Sequence, residues 1–256
     1  MKKLRIGLLI DSYEVPSWVY NMTEQIINSG YAEIGSVIVN KGYIKKRSFL
    51  QKVLHSPSTI FYSTYRRIDK LFFSSRQDAY RKVNLQNILG NTSVLSIAPN
   101  STSFSDRFEE SDIDLIKQEN LDIILRLGFK ILRGNILHAA RFGIWSFHHG
   151  DNKFNRGGPS GVWEVLQNWN KTGVVLQVLT EELDGGLVIE KIYSKTDHIS
   201  SHRNNNNSYW KSISLILRNL KKMHSLGGEE FMRQVKSQNA NPYFLLQSTV
   251  CNTHQF

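Results

Sequence analysis

An α/β fold with a mostly parallel sheet is predicted by the opening of the chain. Leu4 to Ile10 is an apolar run ending in Asp11-Ser12, Val19, Met22, Ile26 and Ile27 then recur at helical spacing, and Ile34 to Val39 is a second, branched run. Strand, helix, strand is the unit that builds a parallel sheet by right-handed crossover. No Gly-x-Gly-x-x-Gly follows the first strand, so a dinucleotide site is not indicated there.

The remaining elements follow in order. The helix begins near Val15-Pro16-Ser17-Trp18 and is stopped by Gly30. Residues 41 to 90 break the rhythm: Phe49, Phe61, Tyr62, Tyr65, Phe72, Phe73 and Tyr80 are spread among cations, and the stretch reads as a largely helical insertion. Val94 to Ala98 is a third strand stopped by Pro99, and Ser111 to Asn120, with a Ser cap and early acids, is a helix. Leu121 to Leu127 is a buried strand, Ile136 to Arg141 a helix, and Ile144 to His148 another strand. After a loop at 149 to 162, Trp163 to Trp169 is helical, and Gly173 to Leu179 and residues 187 to 193 are strands. Asn204 to Asn207 reads as a linker, and Tyr209 to Met223 as a docking or oligomer helix, with a shorter helix after Gly227-Gly228. The domain division is therefore 1–200, with the insertion at 41–90, and 201–256 as linker and helical extension.

Composition sets the class. With 40% apolar residues, five Trp, ten Tyr and thirteen Phe, the chain can offset its conformational entropy and fold as a globular protein. Cys251 is the single cysteine, which excludes an internal disulfide and a thiol-rich metal site and fits a reducing, cytoplasmic setting. Arg5 and Gly7 interrupt the first apolar run, which argues for a strand over a signal peptide, and no run is long enough for a membrane helix. The net charge of +10 is concentrated between 41 and 82, where Lys41, Lys45, Lys46, Arg47, Lys52, Arg66, Arg67, Lys70, Arg76, Arg81 and Lys82 face only Asp69 and Asp78. Scattered cations of this kind form a solvated face by default, but also suit a phosphorylated small molecule or, with the interleaved rings, nucleic acid.

The densest chemistry lies in Ser146-Phe147-His148-His149-Gly150-Asp151-Asn152, continued by Arg156-Gly157-Gly158-Pro159, where a strand delivers histidines into a polar loop. Ligands bind at strand ends in parallel sheets. A second loop, Thr180-Glu181-Glu182-Leu183-Asp184-Gly185-Gly186, offers a carboxylate, and in a parallel sheet both loops open on one edge. A His and an Asp meeting there form a base suited to proton removal near neutral pH. His149, on the other face of the strand, reads as structural, and no i,i+4 histidine spacing supports a metal. Asp11 reads equally as a residue of the ligand edge and as a helix cap.

These motifs, in this order, resemble the folate-dependent formyltransferase family, which includes methionyl-tRNA formyltransferase, phosphoribosylglycinamide formyltransferase and the sugar N-formyltransferases. His148 matches the His of the family's Asn-x-His, Arg156-Gly157 its Arg-Gly segment, Thr172-Gly173-Val174 its Thr-Gly-Val, and Leu183-Asp184-Gly185-Gly186 its Asp loop. The match covers about residues 90 to 195, and the first forty in outline. It implies a Rossmann-like sheet of the formyltransferase type with helices on both faces, and N10-formyltetrahydrofolate as formyl donor. It also implies that His148, Asp184 and Ser146 are catalytic, with Ser146 where the family has Asn. The pteridine is expected against Leu127, Gly128, Phe129 and Ile131 and the turn with Glu181 and Leu183.

The expected activity is N-formylation of a primary amine, on a nucleotide-linked amino sugar. The alternatives are a formyltransferase-like binding module without catalysis, which Ser146 favours, and methionyl-tRNA formyl transfer, which the helical residues after 195 disfavour because that family has a β-rich C-terminal domain. A small-molecule amine is the expected partner, with no membrane; a homodimer and a nucleic-acid ligand stay open.

Overall fold

A computed structural model describes residues 2–42, 58–151, 159–182 and 185–240. Asp184, Leu183, Asn152, Arg156, Gly157, Gly158, Phe49 and Cys251, with the cations from Lys45 to Lys52, lie outside those ranges.

The chain opens as β1 (Leu4–Ile10), a short β2 (Glu14–Pro16), α1 (Ser17–Asn28) and β3 (Ala32–Asn40). Pro16 precedes α1 with its φ already at −60°, and Gly30 at φ 77° lets the chain leave the helix end. In the insertion come α2 (Ser58–Phe73), β4 (Lys82–Asn84), which pairs with β2, and the single-turn α3 (Gln86–Leu89). Then follow β5 (Ser93–Ile97), β6 (Asn100–Ser101), β7 (Ser105–Arg107), α4 (Glu110–Gln118), β8 (Ile123–Arg126) and β9 (Ile131–Arg133). β10 (Ile144–His148), α5 (Val162–Leu166), β11 (Lys171–Val178), β12 (Leu187–Lys195), α6 (Ser201–Leu226) and α7 (Gly228–Ala240) complete the described chain.

Among the described residues one seven-stranded sheet runs in the order β12-β11-β10-β8-β1-β3-β5. β5, β3, β1, β8 and β10 are parallel, so the fold is a mostly parallel α/β sheet with a helical C-terminal extension. One face carries α1, α6 and α7 through Ile6, Leu8, Trp18, Met22, Trp145, Leu220 and Phe231. The other carries α4 through Leu9, Ile38, Ile113, Ile116 and Ile124. Alternation along β1 explains this: Leu8 and Leu9 are both fully buried because successive side chains point to opposite, covered faces.

The structure corrects several sequence expectations. β10 and β11 are antiparallel, with His148 opposite Val175 and Trp145 opposite Val178. A parallel β11 would need a crossover traversing the sheet, and the five residues of α5 rise only about 7.5 Å. Residues 136–141 make no α-helix beyond a 3-10 turn over Asn135–His138, because the N–H groups of Arg141 and Phe142 donate to Leu121 and Asp122 beside β8. Ser111 lies inside α4 and is not its cap; Glu109 occupies that position without a side-chain cap bond. Asn204–Asn207 is not a linker but the first turns of α6. These amides bond outward: Asn204 accepts from Thr172 Oγ1 (3.0 Å) and donates to Gly161 O (3.1 Å), and Asn206 accepts from Ala79 N (2.7 Å). They therefore do not compete with the helix backbone. The helix expected to dock elsewhere docks on its own sheet, burying Ile213, Ile216, Leu220 and Met223.

Candidate active site

The strand order turns outward on both sides of the β1–β8 pair, and at such a switch point the carboxyl ends of the strands open a crevice. Asp11 lies just past β1, and its Oδ1 accepts from Phe129 N (2.8 Å) and Asn40 Nδ2 (3.3 Å). Asp11 is thus the brace of the turn after β8, not a helix cap. Gly128 is required there, since a Cβ on it would lie 2.4 Å from Asp11 N, a backbone atom. Phe129, at φ 62°, turns its ring onto Phe108 (5.4 Å between centroids) and offers the crevice only backbone. Leu127 and Ile131 remain half-buried on the rim.

Ser146 and His148 occupy the end of β10. Ser146 is buried, and its Oγ accepts from Arg126 Nε (3.2 Å), while Arg126 Nη1 donates to Lys130 O (2.9 Å). Burial lowers the pKa of the Arg126 guanidinium, and the charges of Asp11 and Asp106 oppose that shift. Arg126 was not foreseen. Its signal was a lone cation closing the apolar run Ile123-Ile124-Leu125 at a strand's carboxyl end.

His148 is half-exposed and followed by Gly150, at φ 153°. A Cβ on Gly150 would lie 3.4 Å from His148 Nε2 and 3.8 Å from Glu164 Oε1. Glu164, from α5, is 1% exposed, and no side chain among the described residues hydrogen-bonds its carboxyl, which faces the backbone N–H groups of Gly161 and of Glu164 itself at the start of the helix. An ionised carboxylate so placed costs on the order of several kcal/mol. Burial accordingly pushes its pKa up, against its own backbone N–H and the charge of His148, with Asp151 adding to the rise. Asp151 is buried as well and holds Lys191 Nζ (3.0 Å) and Tyr193 OH (2.7 Å) of β12. The Thr-Gly-Val motif has a structural part in this: Gly173 leaves 3.2 Å for Asp151 Cβ, and Thr172 binds Asn204 and Thr196. Glu164 also escaped notice in the sequence, its signal being one acid among Val162, Trp163 and Val165.

His149 is structural, as expected. It is half-buried, stacked on Tyr209 with ring centroids 3.8 Å apart, and bonds Ser212 Oγ at 3.0 Å. Burial and the neighbouring His148 charge push its pKa down to about 3, so it stays neutral.

The turn after β11 starts at the other end of β10, where Leu179 N bonds Ile144 O (2.8 Å). Asp184 and Leu183 lie in the part of it outside the described residues. Glu181 Oε1 accepts from Gly134 N (2.8 Å), and its carbonyl accepts from Arg133, so this turn is tied to the segment that continues from Leu127–Ile131. The two stretches expected to hold the pteridine are thereby joined through Glu181. A cavity of about 830 Å3 opens at the opposite strand ends, among Lys3, Arg5, Asp122, His138 and Arg141, away from His148. No group of metal-binding side chains occurs among the described residues. No helix among them is long and apolar enough to cross a membrane.

No family model and no curated protein matches the sequence. Solved structures do match the fold. A formyltetrahydrofolate deformylase from Pseudomonas syringae aligns with TM-score 0.53 and 16% identity over 86% of this chain, which spans 62% of that protein's length. Glycinamide ribonucleotide transformylase 1 from Symbiobacterium toebii aligns with TM-score 0.51 and 11% identity, covering 86% and 89% of the two chains. Phosphoribosylglycinamide formyltransferase from Anaplasma phagocytophilum aligns with TM-score 0.51 and 14% identity, covering 85% and 89%. With its mostly parallel sheet, its one reversed strand β11 and its histidine at the end of β10, this chain has the fold of the folate-dependent formyl-transferring enzymes.

Proposed function

We propose that the chain is an N-formyltransferase that moves the formyl group of N10-formyltetrahydrofolate to a primary amine, carried on a nucleotide-linked amino sugar. The observation that carries this reading is the gathering of His148, Ser146 and the Arg126 guanidinium at one strand edge, beside the braced turn at 127–131. The rim fits a flat heteroaromatic ring: Leu127 and Ile131 supply apolar surface and Gly128 and Phe129 supply backbone, with Glu181 held by Gly134 N in the second turn; Leu183 is assigned to the donor by resemblance. Bound formyltetrahydrofolate would supply the one-carbon unit. The cations between 41 and 82 favour an acceptor bearing phosphate.

Attack of an amine on a formyl carbon places negative charge on its oxygen. Ser146 accepts from Arg126 and donates to the Phe147 carbonyl over a long 3.5 Å, a bond its hydroxyl can exchange for that oxygen; a hydroxyl polarised by a cation is the stronger donor. Loss of one such donor typically costs about 10²–10³ in rate. This pair supplies a donor where the resembled family has Asn. His148 takes the proton that leaves the amine, and Asp184, by resemblance, orients the imidazole.

The test is incubation with 10-formyltetrahydrofolate and thymidine or uridine diphosphate amino sugars, reading the N-formyl product by mass spectrometry. Product from the wild type and none from His148→Ala is expected. Full turnover by His148→Ala would sink the assignment. Release of formate at the same rate with and without acceptor would make the chain a hydrolase of the donor, and failure to bind the donor would leave a module without this chemistry.

A further inference from the structure

We propose that α2 is a docking face for an anionic lipid surface, on which the protein lies without crossing the bilayer. The inference goes beyond formyl transfer and does not depend on it. Phe61, Tyr65, Ile68 and Phe72 follow one another at i, i+4, i+7 and i+11, which sets them in one row along the helix, with Leu71 beside it. Such a row ordinarily faces the core. Here all five side chains are exposed, and Phe61, Leu71 and Phe72 stand clear of the surface at 81%, 77% and 73%. The helix is anchored by another side instead: Asp69 accepts from Ser200, Ser201 and His202, and the Arg203 guanidinium lies 5.4 Å from the centre of the Phe73 ring. Exposed apolar residues scattered singly need no explanation, but a row of roughly 16 Å does.

Charge selects the occupant. Arg66, Arg67 and Lys70 are exposed on α2 itself, and Arg76, Arg81 and Lys82 in the stretch after it. The acids between 41 and 82 are Asp69 and Asp78; the first is buried in its bonds to α6, and the second lies 3.5 Å from Lys70. A second copy of the chain laid along the row would set these cations against their own equivalents, with both acids already engaged. An anionic surface meets them with opposite charge. Shape favours lipid over an acidic protein, because projecting rings sink into a fluid acyl boundary without matching holes, whereas a protein must supply packed pockets for them. Apolar rings below the headgroups and cations level with them are what hold an interfacial helix. Such a helix needs no membrane-crossing length, and none among the described residues has it.

The measurement is co-sedimentation of the full chain with vesicles of phosphatidylcholine alone, and of phosphatidylcholine and phosphatidylglycerol in equal parts. The chain should pellet with the anionic vesicles and stay in solution with the neutral ones. Salt at roughly 1 M, where the Debye length falls to about 3 Å, should weaken the binding. Phe61→Ser and Phe72→Ser, at positions that pack on little else, should each lower vesicle affinity about tenfold or more without lowering the melting temperature. Undiminished binding by the double variant would mean that cations act without the row, and overturns the docking face. A wild-type chain that stays in solution with anionic vesicles overturns it too. The row then belongs to a second copy if the chain sediments as a dimer that the double variant breaks, or to a protein if an acidic amphipathic peptide slows amide exchange in α2.

Discussion

Arg126 and Glu164 show what a residue-scale reading of the sequence could not reach. His148 and Ser146 were legible because a strand ending in histidine and followed by a Gly-rich loop has a one-dimensional signature. Arg126 matters only because β8 and β10 pair with Arg126 opposite Ser146, a register that no local pattern encodes. Replacing Arg126 by Leu should keep the fold and lower kcat by about 10²–10³ if it polarises the oxyanion donor, whereas Ser146→Asn should retain activity. Steady-state rates beside circular dichroism decide between lost chemistry and lost structure. Glu164 also makes a prediction for stability. Its carboxyl is held above its ordinary value in the folded chain, so the contribution it makes is present below the unfolded value and is lost as pH rises through the folded one. Melts of wild type and Glu164→Gln should therefore diverge in the variant's favour as pH climbs from 4 to 8, in roughly the range set by carboxylate titration. Parallel curves would mean that Glu164 is ionised at no cost.

At the scale of elements, the strands came through best and the polar helix starts worst. Runs such as Leu4–Ile10 and Ile144–His148 are buried on both faces and so read as continuous apolar segments. Asn204–Asn207 misled because linker composition and helix composition coincide when Asn204, Asn205 and Asn206 each have a partner outside the helix. α2 inverts the usual arrangement. Its inward anchor is Asp69, which accepts from Ser200 Oγ (2.5 Å), Ser201 Oγ (2.7 Å) and His202 N (2.8 Å) at the start of α6, while Phe61, Ile68, Leu71 and Phe72 are exposed. Burial works to raise the Asp69 pKa, but those three bonds outweigh it and hold the carboxyl low. Asp69→Asn should cost ~1–3 kcal/mol at neutral pH. That difference should vanish as pH falls through the lowered pKa, because the wild-type advantage exists only while the carboxylate is charged. Amide exchange in α2 at pH 7 and pH 3 reads both effects. Gly128→Ala is a second test at this scale: backbone at 2.4 Å cannot yield, so the turn at 127–131 should shift and donor affinity fall while global stability changes less.

For the molecule as a whole, α6 and α7 are part of the same apolar core as the sheet. Phe231 of α7 stacks on Trp145 of β10 (5.8 Å, 23°), one residue from Ser146. Phe231→Ala should cost ~3–5 kcal/mol and lower the melting temperature in one transition seen alike by near- and far-ultraviolet dichroism. Two separate transitions would show that the helices fold apart from the sheet. The reversal at β11 has a consequence for how the site can be altered. His148 and Glu164 reach the crevice from one contiguous stretch that leaves β10 and returns into β11, whereas the hairpin joining β11 to β12 departs from the far rim and touches the crevice side through Glu181. The hairpin therefore bears on two functions at once, donor grip through Glu181 and the orientation of His148 proposed for Asp184. A chimera with a foreign hairpin at 179–187 should weaken donor binding and turnover together, whereas Glu181→Ala alone should weaken donor binding with a smaller effect on kcat.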